Sequence, residues 1–476
     1  MKVTKLISTL STLLVAIYQC SAAPPPNSSL NVLRERQAGT QWVSIWTSMP
    51  QLVEQSNLPP SPFNGGSVMF NDATLRQTFF ITEDAPRIRI QFSNTFGGSV
   101  LSITAASLAL PQGGAAGVGQ IQTSTLHALT FNGGSPSVTI PTGQVVYTDP
   151  IDFPVTAQTN IAVSIYLKSG QSGSNITGHP GSRTTSWMQS GNQVNSTNVS
   201  GGSTAHWYFA TGVEGFINTD TKGLIILGDS ITDGRGSDDN KNNRWPDLVL
   251  ARMRKSGITN IAVGNQAAGG NRVLQDGLGP SLISRYKRDA INQAGVKYVM
   301  VFEGVNDIGT ANSDAASQQQ VGDQLIAAFQ QIVSDAKAAG LKIFAATITP
   351  LGSGYTAGSR EPTRQRINQW ILTSGTYDAV VDFDKIVRNP SNPSQLAQQY
   401  DSGDGLHPNV AGYQAIANQF PLDVLTGSAP HSTTSSSPTS TTSSAPPVTT
   451  TTSTPPATTS PTAQAAHYAQ CGTYRY

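Results

Sequence analysis

The hydrophobic pattern of this chain changes its period near residue 222, and this change constrains the fold more than any other feature of the sequence. Between about residues 40 and 218 apolar and polar residues alternate, most clearly in residues 87–92, 138–140 and 161–165. Alternation of this kind, with Gly and Pro clusters between the runs, predicts short strands separated by turns. We therefore predict an all-β, sandwich-like domain over residues 39–219.

After residue 222 short apolar runs alternate with helical patterns. The runs cover residues 224–227, 261–263, 298–302, 343–348 and 379–383. The clearest helical pattern places Leu325, Phe329 and Ile332 on one face and ends at Gly340. Strands that alternate with helices need right-handed crossovers and form a parallel sheet covered on both faces. The prediction for residues 220–427 is a three-layer, flavodoxin-like α/β domain.

The N-terminus has the pattern of an export signal. Lys2 and Lys5 precede an apolar stretch over residues 6–17, which is too short to cross a bilayer, and small residues follow at positions 21 and 22. We predict a signal peptide over residues 1–22, a leader or flexible arm over 23–38, and a secreted, extracellular protein without a membrane partner. Exposed loops that carry the sequons of Asn175, Asn195 and Asn198 would fit a glycoprotein.

Charge and tail composition limit the partners. The chain has 476 residues, enough for two domains plus tails, and its 29 Lys and Arg balance 28 Asp and Glu, so we expect no nucleic-acid partner. Residues 428–463 are rich in Ser, Thr and Pro, which predicts an extended, O-glycosylated linker. Residues 464–476 resemble the truncated start of a fungal cellulose-binding module. Cys471 has no cysteine partner outside the predicted signal peptide, so we do not expect cellulose binding.

Polar residues follow four of the predicted strands of the α/β domain. Ser230 lies in a tight turn after the first strand, Gly270 in a loop of small residues after the second, and Asn306 after the third. Asp404 and His407 share a loop beyond the fifth. Because ligand sites of parallel sheets lie outside the carboxyl ends of the strands, we expect these residues to converge at one edge.

The set contains what acyl transfer requires. A serine hydroxyl needs a base to accept its proton, and His407 is the only imidazole between residues 222 and 425. Asp404 is close enough in sequence to orient that ring. The candidate donors to a developing oxyanion are the backbone N–H groups of Ser230 and Gly270 and the side-chain amide of Asn306. We predict Ser230, Asp404 and His407 as catalytic residues, with no cofactor and no metal ion.

Each element also has an ordinary structural interpretation. Gly228 to Ser230 could be a simple turn, Gly270 could only permit a tight loop, and Asn306 could cap a helix. Independent turns and caps have no reason to occur in this order at one sheet edge, and the combination therefore favours catalysis.

Together these blocks resemble those of the SGNH (GDSL-type) hydrolase superfamily, over the whole of residues 222–425. The resemblance implies Ser230 as nucleophile, Gly270 and Asn306 as oxyanion donors, and Asp404 with His407 as the acid–base pair. Residues 71–77, 92–97 and 244–247 are further similar to a subgroup with an N-terminal β-domain, some members of which resemble xylan-degrading acylesterases.

The resemblance implies a carbohydrate esterase that removes acetyl or other small acyl groups from plant-wall polysaccharide such as xylan. One alternative is a broad-specificity esterase or lipase acting on small esters. A second is a non-catalytic carbohydrate-binding protein whose β-domain is the functional part. A metal-dependent deacetylase would need carboxylate ligands alone, since the α/β domain lacks a histidine cluster. The tryptophans of the β-domain could line a cleft or fill its core; they are Trp42, Trp46, Trp187 and Trp207.

Overall fold

A computed structural model describes residues 39–352 and 354–426. The predicted signal peptide, leader, Ser/Thr/Pro linker and C-terminal tail lie outside the described residues, and those predictions stay predictions. None of the described helices is long and apolar enough to cross a membrane.

The first half of the described chain is built from antiparallel strands. They are β1 (Thr40–Thr47), β2 (Gln51–Leu52), β3 (Val68–Met69), β4 (Ala73–Ile81), β5 (Ile88–Ser93), β6 (Leu101–Ile103), β7 (Ala105–Ala109), β8 (His127–Ala128), β9 (Val138–Ile140), β10 (Val145–Tyr147), β11 (Thr159–Leu167), β12 (Gln171–Ser172), β13 (Thr177–His179), β14 (Ser186–Ser190), β15 (Gly202–Thr204), β16 (Trp207–Tyr208) and β17 (Ala210–Asn218). Short 3₁₀ turns interrupt them at Gln55–Asn57, Gln112–Gly114 and Thr123–Thr125.

Two antiparallel sheets enclose the core of this β-region. One sheet has the order β1-β17-β5-β10 and the other β15-β14-β4-β11-β7-β8. Apolar side chains from both sheets share one buried cluster, in which Trp46 of β1 stacks on Phe79 of β4 with ring centroids 4.0 Å apart. Alternate residues of β5 and β11 face this shared core, namely Ile88, Ile90 and Phe92 of β5 and Ile161, Val163, Ile165 and Leu167 of β11. The predicted all-β, sandwich-like fold is confirmed.

The second half is an α/β domain. Its strands are β18 (Lys222–Gly228), β19 (Ile261–Ala267), β20 (Val296–Phe302), β21 (Lys342–Ala346) and β22 (Ala379–Val381), with a hairpin of β23 (Arg388–Asn389) and β24 (Asn392–Leu396). Its helices are α1 (Ser230–Asp233), α2 (Trp245–Lys255), α3 (Leu282–Tyr286), α4 (Val305–Thr310), α5 (Ala315–Ala338), α6 (Arg360–Thr373), α7 (Phe383–Val387), α8 (Val410–Gln419) and α9 (Asp423–Thr426), with a π-turn at Lys287–Ile291 and a 3₁₀ turn at Gln398–Tyr400.

The sheet of this domain is parallel, with the order β19-β18-β20-β21-β22. All four residues of 224–227 in β18 are fully buried. Successive residues of a strand point to opposite faces, so both faces of the sheet are covered. Helix α5 buries the predicted face of Leu325, Phe329 and Ile332 and ends two residues before Gly340. The flavodoxin-like order and the three-layer α/β class are confirmed.

The β-region packs against the edge strand of the parallel sheet. In β1 the N–H of Ser44 donates to the carbonyl of Ala294 (2.9 Å), and the Thr47 hydroxyl donates to the carbonyl of Asn265 in β19 (3.1 Å). A Cβ at Gly264 would lie 3.0 Å from the Thr47 Oγ1, so glycine permits this close approach. The contact brings the 179–182 segment of the β-region to the carboxyl edge of the sheet, beside the turn of Ser230.

Candidate active site

Ser230 begins a one-turn helix just after β18, the strand next to the edge strand β19. The carboxylate of Asp229 accepts the N–H of Ile231 (2.9 Å) as the cap of α1, and the turn ends at Gly234, whose φ of 105° suits glycine. The carbonyl of Ser230 accepts the N–H groups of both Gly234 (3.0 Å) and Arg235 (2.9 Å). These bonds fix the backbone of the serine at the carboxyl end of the sheet.

A hydrogen-bonded series joins Ser230 to His407 and Asp404. The Oγ of Ser230 is 2.7 Å from Nε2 of His407, and Nδ1 of the same ring is 2.7 Å from Oδ2 of Asp404. Because a carboxylate only accepts, Nδ1 carries the proton and Nε2 presents a lone pair to the serine hydroxyl. The structure brings the three predicted residues together, although Ser230 and His407 are 177 positions apart.

Backbone donors hold the carboxylate of Asp404. Its Oδ1 accepts the N–H groups of Leu406 (3.0 Å) and His407 (2.9 Å). Partial burial alone would raise the pKa of Asp404, but the hydrogen bonds from the His407 ring and from these amides outweigh it, so the pKa lies below its usual value. Asp404 therefore stays ionised throughout the pH range in which an imidazole titrates.

Gly270 lies in the loop after β19, and Asn306 lies at the start of α4 after β20. Gly270 has a φ of 69°, in the left-handed region that favours glycine. Asn306 is buried in α4, and its Nδ2 donates to the carbonyl of Asn271 (2.9 Å). An amide has a second N–H, so Asn306 retains a donor for an oxyanion.

Arg285 connects the carboxyl ends of β18 and β19 by hydrogen bonds. This fully buried guanidinium donates to the carbonyls of Gly228 (3.3 Å) and Gln266 (2.7 Å), which end β18 and precede the end of β19. It also donates to Oδ1 of Asn271 from Nε (3.0 Å) and Nη2 (2.8 Å). The carbonyl of Asn271 in turn accepts from Asn306 of α4. Arg285 therefore connects the end of β18 to the Gly270 loop and to Asn306. Sequence reasoning did not identify Arg285, because an arginine within a helical pattern carries no local signal of this role.

Three carboxyl groups are buried below the serine turn. Burial raises the pKa of Asp229 to about 7, of Glu303 to about 8 and of Asp307 to about 6. The backbone N–H groups of Val273 and Leu274 donate to Asp307, which offsets part of the burial effect. Within the described residues neither carboxyl oxygen of Glu303 has a hydrogen-bond partner, although Arg285 Nη2 lies 3.6 Å away.

We expect Glu303→Gln to stabilise the protein at alkaline pH. The folded-state pKa of Glu303 is about 8, above the usual 4.5, so its stabilising contribution is full below about pH 4.5 and is lost as the pH rises through 8. Glutamine resembles the protonated acid and does not ionise. The variant should match the wild type near pH 5 and exceed it near pH 9 by about 2–4 kcal/mol.

Chemical denaturation of both proteins at the two pH values measures this difference. A stability difference that is the same at pH 5 and pH 9 would contradict the prediction.

Two further residues of the site come from outside the predicted set. Asp233 ends α1, three residues after the serine, and its Oδ1 is 2.8 Å from Nε2 of His179, which ends β13 of the β-region. A search for imidazoles confined to residues 222–425 misses His179. Trp46 and Trp207 are buried near this contact and fill the core, whereas Trp42 and Trp187 are half-buried.

In the described residues no three His, Cys, Asp or Glu side chains are arranged to hold a metal ion. The carboxyl edge of the parallel sheet instead has the parts of an acyl-transfer site. They are a serine, an imidazole and a carboxylate in hydrogen-bonded series, with amide donors in the neighbouring loops.

Comparison with known proteins agrees with that class. Residues 226–415 match the GDSL-like Lipase/Acylhydrolase family. The α/β domain therefore belongs to the SGNH (GDSL-type) hydrolase superfamily, and the chain is a carboxylic ester hydrolase. This result rules against the non-catalytic alternative.

Several solved structures are similar to the chain. They include a GDSL-like lipase from Bacteroides thetaiotaomicron (17% identity, 43% of this chain and 89% of that chain, TM-score 0.31), the lipase/acylhydrolase from Enterococcus faecalis (18%, 42% and 93%, 0.32), and a variant of an acetyl xylan esterase from Geobacillus stearothermophilus (21%, 44% and 97%, 0.33). No curated protein matches the sequence.

Proposed function

We propose that this chain is a secreted serine esterase that removes acetyl or other small acyl groups from plant cell-wall polysaccharide such as xylan. The observation that carries the catalytic part is the series from Ser230 Oγ to His407 Nε2 and from His407 Nδ1 to Asp404 Oδ2, with 2.7 Å at each contact. Both contacts have the length of strong hydrogen bonds and need no rearrangement before proton transfer.

In the proposed first half-reaction the Oγ of Ser230 attacks the ester carbonyl carbon while its proton moves to Nε2 of His407. The resulting imidazolium is stabilised by Asp404, which accepts the Nδ1–H. Collapse of the tetrahedral intermediate breaks the bond to the leaving alkoxide, which takes the proton from Nε2. The acyl group then remains on Ser230 as an ester.

In the second half-reaction water attacks the acyl-enzyme, and Nε2 of His407 accepts a proton from that water. The second tetrahedral intermediate expels the Ser230 oxygen, which recovers its proton from the imidazolium. The products are the free acid and the resting enzyme, so the cycle balances without a cofactor.

The oxyanion of both intermediates would be stabilised by the N–H groups of Ser230 and Gly270 and by the side chain of Asn306. We expect Asn306→Ala to lower kcat by about 10²- to 10³-fold with a smaller change in KM, because the donor acts on charge that develops in the transition state. Steady-state kinetics on an aryl acetate measures the change.

Asn418→Ala provides a matched control on the exposed face of α8, where it should leave kcat unchanged. Equal kcat values for Asn306→Ala and wild type would remove Asn306 from the proposed oxyanion hole.

Support for a secreted, polysaccharide-directed enzyme comes from the sequence. The apolar N-terminal stretch, the Ser/Thr/Pro-rich segment over residues 428–463 and the resemblance of residues 71–77 and 92–97 to an acylesterase subgroup all point in that direction. Asn175, Asn195 and Asn198 of the three sequons are exposed, which makes them accessible to glycosylation.

A substrate panel tests the acyl and glycan specificity. Acetate release from acetylated xylan should be faster than release of the longer acid from xylan that carries longer acyl chains, and activity on aryl esters should fall as the acyl chain lengthens. Activity on long-chain aryl esters with none on acetylated xylan would instead support a lipase or broad-specificity esterase.

A further inference from the structure

The contact between His179 and Asp233 joins the β-region to the serine turn. Both side chains are buried, and His179 Nε2 lies 2.8 Å from Asp233 Oδ1. The other ring nitrogen, Nδ1, lies 3.1 Å from the carbonyl of Met49, which follows β1. His179 is thus held by a backbone group of the β-region on one side and by a carboxyl group of the α/β domain on the other.

The two contacts of the His179 ring require two protons. A carbonyl oxygen only accepts, so Nδ1 of His179 must carry a proton. The short distance between Nε2 and the carboxyl oxygen of Asp233 needs a second proton, located on either atom. Loss of that second proton would leave a lone pair of the ring facing a carboxylate, and the contact would become repulsive.

Asp233 connects this pair to the catalytic loops. Its backbone N–H donates to the carbonyl of Asp229 (2.9 Å), and the next two amides donate to the carbonyl of Ser230. A Cβ at Gly181 would lie 1.7 Å from Asp233 Oδ2, and a Cβ at Gly269 would lie 4.0 Å from it. The carboxyl group therefore lies against the β-region on one side and beside the Gly269–Gly270 loop on the other.

The surroundings hold the pair in place. The ring of Trp207 stacks on His179, with centroids 5.9 Å apart, and Arg244 lies 5.8 Å from the Trp207 ring while its Nε donates to the Asp233 carbonyl (2.7 Å). The other titratable groups near the pair are Asp247 of α2, Asp229 at the end of β18, Tyr413 of α8, and His206 with Glu54 of the β-region. Burial lowers the pKa of His206, which favours the neutral form of this second ring.

We propose that His179 is a positioning residue for ester hydrolysis, through which the β-region holds the turn of Ser230 and the Gly270 loop in their reactive arrangement. The inference rests on the proposed catalytic roles of those residues. It gives the β-region a function in catalysis itself, carried by the hydrogen bond between His179 and Asp233.

The experiment compares His179→Gln and His179→Leu in the full chain with His127→Gln, a matched substitution at an exposed histidine of the β-region. The Nε2 amide of glutamine can donate to Asp233 without titrating, whereas leucine cannot donate. Values of kcat and KM for an aryl acetate are measured at neutral pH, together with the thermal midpoint of each protein.

We expect His179→Leu to lower kcat by about 100-fold with little change in KM, as expected when a reacting group is displaced. His179→Gln should keep most of the wild-type kcat, because its amide can still donate to Asp233, and His127→Gln should match the wild type. A purely structural role of His179 would lower the thermal midpoint of both His179 variants while the folded proteins kept the wild-type kcat.

Two results would overturn the inference: an unchanged kcat for His179→Leu, or an equal loss of kcat in His179→Gln and His179→Leu. If the leucine variant does not fold, His179→Gln decides alone, and a loss of kcat of more than about tenfold relative to His127→Gln would overturn the inference. Failure of the proposed function is separate, because it would appear as full activity of Ser230→Ala whatever the behaviour of the His179 variants.

Discussion

Ester hydrolysis by Ser230→Ala should be slower than that of the wild type by about 10⁴-fold or more in kcat. Alanine removes the oxygen that would form the acyl-enzyme and leaves the imidazole of His407 without the hydroxyl that now lies 2.7 Å from Nε2. The side chain is small and ends a hydrogen-bonded series, so the loss should leave folding intact. Single-turnover and steady-state assays on an aryl acetate measure the change.

Ser334→Ala is a matched control for this variant, because Ser334 lies exposed on α5 and the substitution suits a helix. Its kcat should equal that of the wild type. If Ser230→Ala kept more than about one-hundredth of the wild-type kcat, the covalent mechanism would have to be abandoned.

Asp404→Asn should lower kcat by about 10⁴-fold with folding retained. The Oδ1 of an asparagine could still accept the N–H groups of Leu406 and His407, and the amide nitrogen would then face Nδ1 of the ring. A donor in that position forces the proton of neutral His407 onto Nε2. The ring could then no longer accept the proton of Ser230, although the geometry would be almost unchanged.

The matched control is Asp323→Asn. Asp323 lies on α5 and forms an exposed ion pair with Arg366 of α6, so we expect little effect on kcat. In the wild type the pKa of Asp404 is below its usual value, so protonation of Asp404 should not limit activity at mildly acid pH. An Asp404→Asn variant with kcat within about tenfold of the wild type would show that Asp404 does not set the tautomer.

The buried carboxyl groups below the serine turn give the site an electrostatic character of its own. Asp229 caps the serine helix, and Glu303 lies next to Arg285 without a hydrogen bond in the described part of the chain. Their raised pKa values come from burial, and with a pKa of about 8 Glu303 favours the protonated acid at neutral pH, whereas Asp229, with a pKa of about 7, is near its midpoint. Burial therefore reduces the negative charge under the position where an oxyanion would form.

The pattern of residues predicts both kinds of structure and the residues of the candidate site. The change of hydrophobic period at residue 222 fixed an antiparallel β-region followed by a parallel sheet, because side-chain direction repeats every two residues in a strand and every 3.6 in a helix. The positions of Ser230, Gly270, Asn306 and the Asp404–His407 loop after successive strands were enough to bring them together. The carboxyl ends of parallel strands lie at one edge of the sheet, so residues that directly follow successive strands meet there.

The groups that support this edge of the sheet come from the packing of whole elements. The hydrogen bond of His179 with Asp233 spans 54 residues and exists because β1 packs on β19, an arrangement that no local pattern encodes. The same holds for Arg285, whose donors reach the ends of two strands and the Asn271 loop. Periodicity reports which face of an element is buried, but it does not report which buried polar groups meet, since that depends on how whole elements pack against one another.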